Sequence, residues 1–113
     1  MHIECSQSKL RDVIGYLEKI VSRHSNLPVL TCLLFDALET NTLTIKATNL
    51  DLGVEMSIPV KTIEKGIIAV PATTINSFLI NTINNENTIS IISIKDNIKI
   101  ITKNSSGIVK TQK

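Results

Sequence analysis

Two histidines and two cysteines are the side chains of this sequence that most readily bind metals or act as nucleophiles. They are His2, Cys5, His24 and Cys32. No His-x-x-x-His or Cys-x-x-Cys spacing occurs among them, although metal sites in proteins usually show such spacings. The sequence contains neither a glycine-rich phosphate loop nor a Gly-x-Ser-x-Gly motif. We therefore expect no metal, no cofactor and no catalytic centre in this chain.

The remaining groups with reactive potential are predicted to be structural. Asp51 and Glu55 stand in an expected strand, where residues of one face are well separated along the chain. We expect two solvated carboxylates there rather than an acid–base pair. Cys5 and Cys32 lie in strand-like apolar runs, and we expect buried free thiols in a reducing cytoplasm rather than a disulfide.

Composition limits the class of protein. The chain has 113 residues, of which 42% are hydrophobic and 3% aromatic, so one domain with an aliphatic core is expected. The net charge of +2 is too small for a protein that binds nucleic acid through charge alone. Because the sequence shows no apolar run of about 18 residues and no signal peptide, we expect a cytoplasmic protein without a membrane partner.

Three strand-like runs dominate the segment from residue 25 to residue 60. The first extends from Leu27-Pro28 to Leu38, and a polar break follows at Glu39-Thr40-Asn41. Apolar side chains alternate with polar ones along Thr42–Thr48 and again along Leu52–Val60. This period of two is typical of antiparallel strands with one buried and one hydrated face. The segment is therefore predicted to be a three-stranded meander whose apolar face needs a covering layer.

Two helices are predicted to supply that layer. Apolar residues recur at helical spacing along Lys9–Arg23, and the hydroxyl of Ser6 or Ser8 is placed to cap the first turn. A second helix is expected over Ala72–Ile83. Pro71 would take its first position, where a missing N–H costs nothing.

The other segments complete two similar halves. Further strands are predicted at Met1–Cys5, Gly66–Val70, Thr88–Ile94, Ile98–Thr102 and Ile108–Lys113, with turns at Asp96-Asn97 and Asn104–Gly107 and a polar connector at Lys61–Lys65. Each half then reads strand, helix, three strands, which is an internal repeat of about 60 residues. We predict one α+β domain over residues 1–113, with two helices packed on two four-stranded antiparallel sheets. The polar faces of the helices should lie side by side.

The duplicated unit resembles one domain of a DNA sliding clamp, most closely the first domain of the bacterial DNA polymerase III beta subunit. The segments that carry the resemblance are Leu27-Pro28-Val29-Leu30 with Leu33-Leu34, then Leu43–Leu52, and finally Val70-Pro71-Ala72. The resemblance spans essentially the whole chain, and it depends on the order and separation of these segments together.

The resemblance implies a non-catalytic processivity factor. In this family, two protomers of three such domains join head to tail into a ring that encircles duplex DNA and tethers the replicative polymerase. This chain would be the first domain, and it would meet the third domain of a second protomer. The polymerase and the clamp loader would bind through the later domains, which this chain lacks.

The resemblance also implies DNA-contacting residues. The loop after the first helix projects towards DNA in the family, and Arg23 and His24 occupy the matching positions, with His24 where an arginine is usual. Lys19 and Arg11 lie on the same helix as further candidates. Thr73, at the start of the second helix, stands where the family tends to place a basic residue. A solvated helix face would show the same residue types.

The last strand is implied to pair across the protomer boundary. Ile108 falls where an apolar interface residue is expected, whereas Lys110 stands where the family is usually apolar. Lys99 and Lys103 are expected to supply the basic side of interfacial ion pairs, and Thr74 to lie at the same boundary. The alternative is an ordinary edge strand protected by lysines. A stand-alone α+β protein-interaction module without a DNA role is the alternative for the whole chain.

Overall fold

The computed structural model describes residues 1–21, 31–48, 53–81, 88–95, 97–102 and 106–110. These residues form two helices and nine strands. In chain order they are β1 (His2–Ser6), α1 (Gln7–Glu18), β2 (Cys32–Asp36), β3 (Thr42–Thr48), β4 (Gly53–Pro59), β5 (Lys61–Glu64), β6 (Ile67–Pro71), α2 (Ala72–Asn81), β7 (Thr88–Ile94), β8 (Asn97–Ile101) and β9 (Ser106–Lys110). The α+β class and the predicted duplicated order of elements are confirmed.

The strands form two antiparallel sheets that exchange their first strands. One sheet has the order β5-β1-β7-β8-β9, and the other has the order β4-β3-β2-β6. Strand β1 of the first half pairs with β7 of the second half, and β6 of the second half pairs with β2 of the first half. Each meander is therefore completed by a strand from the other half, and β5 adds a fifth strand to the first sheet.

The predicted polar connector is wrong, because Lys61–Glu64 forms strand β5. This strand pairs with β1 and extends its sheet to five strands, with an irregular register between His2 and Ile3. The backbone N–H of Asn41 donates to the Thr62 hydroxyl at 2.8 Å, and the Thr62 N–H donates to Asn41 Oδ1 at 3.3 Å. These bonds fix β5 to the turn before β3. They help to explain why a mostly polar segment forms a strand.

The core lies between the helices and the inner faces of the sheets. Helix α1 buries the predicted apolar stripe, and helix α2 contributes Ile75 and Leu79. The largest fully buried side chains include Phe35, Ile3, Leu10, Ile14, Leu17, Leu33, Leu43, Ile45, Ile89 and Ile91. Each is worth about 1.5–3 kcal/mol on burial, so the aliphatic core expected from composition accounts for the fold.

The helix boundaries differ from prediction in part. Ser6 caps α1 as expected, since the Lys9 N–H donates to its hydroxyl at 3.5 Å. Helix α1 ends at Glu18, before the predicted Arg23, although Val21 remains buried beyond the helix. Pro71 is the last residue of β6, where it pairs with Cys32, and α2 begins at the next residue.

Two strands begin earlier than predicted. Ser106 and Gly107 were expected in a turn but belong to β9, because they pair with Ile101 and Ile100. Asn97 begins β8 for the same reason, since it pairs with Ile94. None of the described helices is long and apolar enough to cross a membrane.

Candidate nucleic-acid interface

Helices α1 and α2 lie against each other on one side of the molecule. Gly15 of α1 faces Asn76 of α2 closely enough that a Cβ added to Gly15 would lie 3.8 Å from Asn76 Oδ1. Both helices turn most of their apolar residues to the core, and their outward faces form one surface. We call this the helix surface, and its exposed residues are Lys9, Asp12, Tyr16, Lys19, Thr73, Thr74, Ser77 and Ile80.

Some of the predicted DNA-contacting residues lie on the helix surface. Lys19 is exposed at the end of α1, and Thr73 is exposed in the first turn of α2. Arg11 is only half-buried, so part of its side chain reaches solvent. The predicted contacts at Arg23 and His24 lie outside the described residues. The helix surface therefore brings together side chains from both halves of the repeat.

The electrostatic character of the helix surface is weak. On α1, Lys9 and Lys19 are partly offset by Asp12. On α2, the first turn carries no acidic residue and presents the hydroxyls of Thr73 and Thr74. A helix N-terminus is electropositive and hydroxyls hydrogen-bond to phosphate, so this end suits an anion without a strong net charge.

Tyr16 and Ile80 are exposed residues of the helix surface that were not predicted as site residues. Their exposed fractions are 61% and 60%. The sequence carried a signal for Tyr16, because helical spacing places it opposite the apolar stripe of α1. The sequence did not indicate that Ile80 is exposed, since an isoleucine in an apolar helix is usually a core residue.

A second surface lies at the edge strand β9. Ile108 is 67% exposed and is directly opposite Lys99 of β8, which is half-buried. Because β9 ends its sheet, its outer backbone groups pair with no further strand among the described residues, although β9 contacts β6 of the other sheet. We call this region the β9 edge.

The β9 edge is fixed to helix α2 by a close packing contact. A Cβ added to Gly107 would lie 2.5 Å from Cε2 of Phe78, so the aromatic ring occupies the space that a side chain would take. Thr74 precedes Phe78 by one helical turn and therefore lies on the same side of α2 as β9. Lys110 pairs with Asn97 through the backbone, and Lys103 lies outside the described residues.

The cysteine thiols are buried and free, as predicted. Burial raises the pKa of Cys5 to about 12, which keeps it a neutral thiol. Burial also raises the pKa of Cys32, against the opposing effect of a hydrogen bond with Thr31. In the described part of the chain, no three His, Cys, Asp or Glu residues are close enough to hold a metal ion. Glu55 is exposed on β4, and Asp51 lies outside the described residues.

Comparison with known proteins gives one family. The family model described as DNA polymerase III beta subunit, N-terminal domain, matches residues 1–112. No curated protein sequence matches the chain.

Solved structures of sliding clamps share this fold. A sliding clamp (DNA polymerase III subunit beta) from Bartonella birtlesii, bound to griselimycin, is 25% identical with a TM-score of 0.90, and the match covers 98% of this chain and 29% of that one. The DNA polymerase III subunit beta from Pseudomonas aeruginosa is 22% identical with a TM-score of 0.90 over 100% of this chain and 30% of its own. A protein described as a DNA polymerase III beta subunit, from Eubacterium rectale, is 23% identical with a TM-score of 0.90, over 99% and 30%. The chain thus spans about a third of the length of these structures.

Proposed function

Because the chain belongs to the family of the DNA polymerase III beta subunit N-terminal domain, we propose that it is the first of three domains of a DNA sliding clamp. Two protomers would close a ring around duplex DNA and give the replicative polymerase its processivity. The protein would act in the cytoplasm and without catalysis. The observation that carries the proposal is the fold match over 98% of this chain but only 29% of a solved clamp.

The helix surface is proposed to line the hole of the ring. The groups proposed to touch phosphates are Lys19 and Thr73 of the helix surface and the half-buried Arg11, with Arg23 and His24 nearby in sequence. If about three phosphates are neutralised, the log–log salt slope is near −3 for each domain, which cannot hold a single domain on DNA at physiological salt. Neither described helix offers a row of exposed base-reading side chains. Weak, non-specific contacts suit a ring that slides and is retained by its topology.

The β9 edge is proposed to receive the third domain of the second protomer. An exposed edge strand supplies backbone groups for pairing, and Ile108 supplies apolar area at the boundary. Lys99, Lys103 and Lys110 would offer cations to partner carboxylates, with Thr74 beside them. The polymerase and the clamp loader would bind to the later domains.

The experiment that tests the ring uses the full-length clamp that contains this chain. The complete protein is loaded onto a nicked circular duplex, and its retention is measured before and after the circle is cut. We expect retention on the circle and rapid loss after cutting. Equal retention on circular and linear DNA would refute the topological mechanism.

A stand-alone protein-interaction module is the alternative, and the family match over residues 1–112 disfavours it. It can be tested with this chain alone. We expect the 113-residue chain to bind duplex DNA barely at about 0.15 M salt, since it has few cations. Tight, sequence-selective binding would favour the module instead.

A further inference from the structure

Tyr16 is an aromatic residue that packing does not explain. The chain has one tyrosine, two phenylalanines and no tryptophan. Phe35 is fully buried in the core, and Phe78 packs against Gly107. Tyr16 instead exposes 61% of its surface from the outward face of α1. A tyrosine joins an apolar ring to a polar hydroxyl, so at this exposed position it suits contact with a ligand that accepts a hydrogen bond.

The polar groups around Tyr16 are available for a ligand. Within the described part of the chain, nothing hydrogen-bonds to the Tyr16 hydroxyl and no carboxylate pairs with the exposed amino group of Lys19. Lys19 follows Tyr16 by three residues, a spacing that brings helical side chains to neighbouring positions about 5–6 Å apart at Cβ. Together they present a neutral O–H donor beside a cation.

We infer that Tyr16 is a DNA-backbone contact whose hydroxyl donates to a phosphate oxygen next to the phosphate that Lys19 pairs with. Phosphate oxygens only accept hydrogen bonds, and tyrosine is among the side chains that donate to them. The inference rests on the proposed function, because it requires α1 to face a duplex. It adds a residue that charge-based selection of contacts had missed.

The contact has a signature that separates it from a lysine contact. A neutral donor displaces no counterion, so its loss weakens binding without changing the salt slope, whereas each cation lost lowers the slope by about 0.9. Asp12 lies one turn before Tyr16 and repels phosphate. Its neutralisation should therefore strengthen the same contact.

The test uses the 113-residue chain and a fluorescein-labelled 20-base-pair duplex at about 20–60 mM salt, where counterion release favours weak binding. The variants are Tyr16→Phe, Lys19→Gln and Asp12→Asn. Lys65→Gln is the matched control, because Lys65 is exposed between β5 and β6, at the far end of β1 from α1. Heteronuclear NMR of the wild-type chain reports which residues the duplex perturbs.

We expect Tyr16→Phe to weaken binding by about tenfold at an unchanged slope, as for loss of a hydrogen bond to a charged group. Lys19→Gln should weaken binding and reduce the slope, Asp12→Asn should strengthen binding, and Lys65→Gln should change neither quantity. The Tyr16 ring signals should shift on addition of the duplex.

Two results would overturn the inference in distinguishable ways. If Lys19→Gln weakens binding while Tyr16→Phe binds like wild type, Tyr16 is not a contact and the proposed DNA-facing role of α1 stands. If the duplex shifts no residue of α1 or α2 at low salt, both the contact and the proposed orientation of the helices are wrong.

Discussion

At the scale of single residues, Gln7 is a buried polar side chain whose amide makes no hydrogen bond among the described residues. It is 0% exposed, and neither Oε1 nor Nε2 has a hydrogen-bond partner among the described residues. A buried polar group without a partner costs about 1–3 kcal/mol. Gln7 is the first residue of α1, directly after β1, whose Ile3 and Cys5 are also buried, so an apolar residue of its size belongs there.

We therefore expect Gln7→Met to stabilise the chain by about 1–2 kcal/mol, because methionine removes the unpaired amide at nearly constant volume. Urea unfolding followed by circular dichroism measures the change. Gln7→Glu is the matched control and should destabilise, because it places a charge in the same site. A loss of stability in Gln7→Met would show that the amide has a partner.

Cys5 gives a prediction about alkaline pH. Burial raises its pKa from the ordinary 9.0 to about 12, so the unfolded chain loses the thiol proton at lower pH than the folded chain does. The stability linked to this proton is fully present below pH 9 and is lost as the pH rises from 9 towards 12. The free energy of unfolding should thus fall by at most about 1.4 kcal/mol per pH unit from this group.

Unfolding by urea at a series of pH values from 8 to about 10.5 measures this dependence. Cys5→Ala should have lower stability throughout but a shallower decline with pH. An equally steep decline in the variant would assign the alkaline loss to other groups.

At the scale of elements, the contact between α2 and β9 depends on the absence of a side chain at Gly107. We expect Gly107→Ala to destabilise by about 1–3 kcal/mol, because the new methyl group would meet the Phe78 ring. Gly15→Ala is the matched control, since its added carbon meets Asn76 at an ordinary 3.8 Å. That change should stabilise α1 by about 0.5–1 kcal/mol. Equal effects of the two substitutions in urea unfolding would contradict the packing argument.

The elements that could be predicted were those whose pattern is local. The alternation in β3 and β4 and the apolar stripe of α1 identified these elements directly. Strand β5 was missed because Lys61–Glu64 has one apolar residue, and its pairing depends on β1, which is distant in sequence. The end of α1 was misplaced because the stripe continues to Val21, which is buried without being helical.

The candidate site was predictable to a similar degree. Helical spacing placed Lys19 on the outward face of α1, and the family resemblance indicated Thr73 at the start of α2; both are exposed. Ile108 was expected at an interface, and its exposure agrees with an uncovered apolar residue. Tyr16 carries no charge, so the pattern of basic residues did not indicate it. Every predicted DNA and interface contact remains a prediction, and those at Arg23, His24 and Lys103 lie outside the described residues.

At the scale of the whole molecule, the β9 edge predicts how the chain behaves alone. The proposed binding partner of the β9 edge is the third domain of a second protomer. Two copies of this chain would therefore lack a surface complementary to the β9 edge. We expect a monomer, or weak self-association, in sedimentation velocity at about 10 μM, a concentration at which an interface with micromolar affinity is visible. A tight, discrete homodimer would count against head-to-tail assembly.

The exchange of first strands between the halves also sets an order of events during synthesis. The sheet β4-β3-β2-β6 has all its strands once Pro71 has left the ribosome, whereas β1 must wait for β7 to pair on its inner side. At about 5–20 residues per second, that wait for the roughly eighty residues between them is several seconds or more. During it, β1 can pair only with β5, so its apolar side chains lack the cover that the second half gives them and stay accessible to chaperones and to other nascent chains.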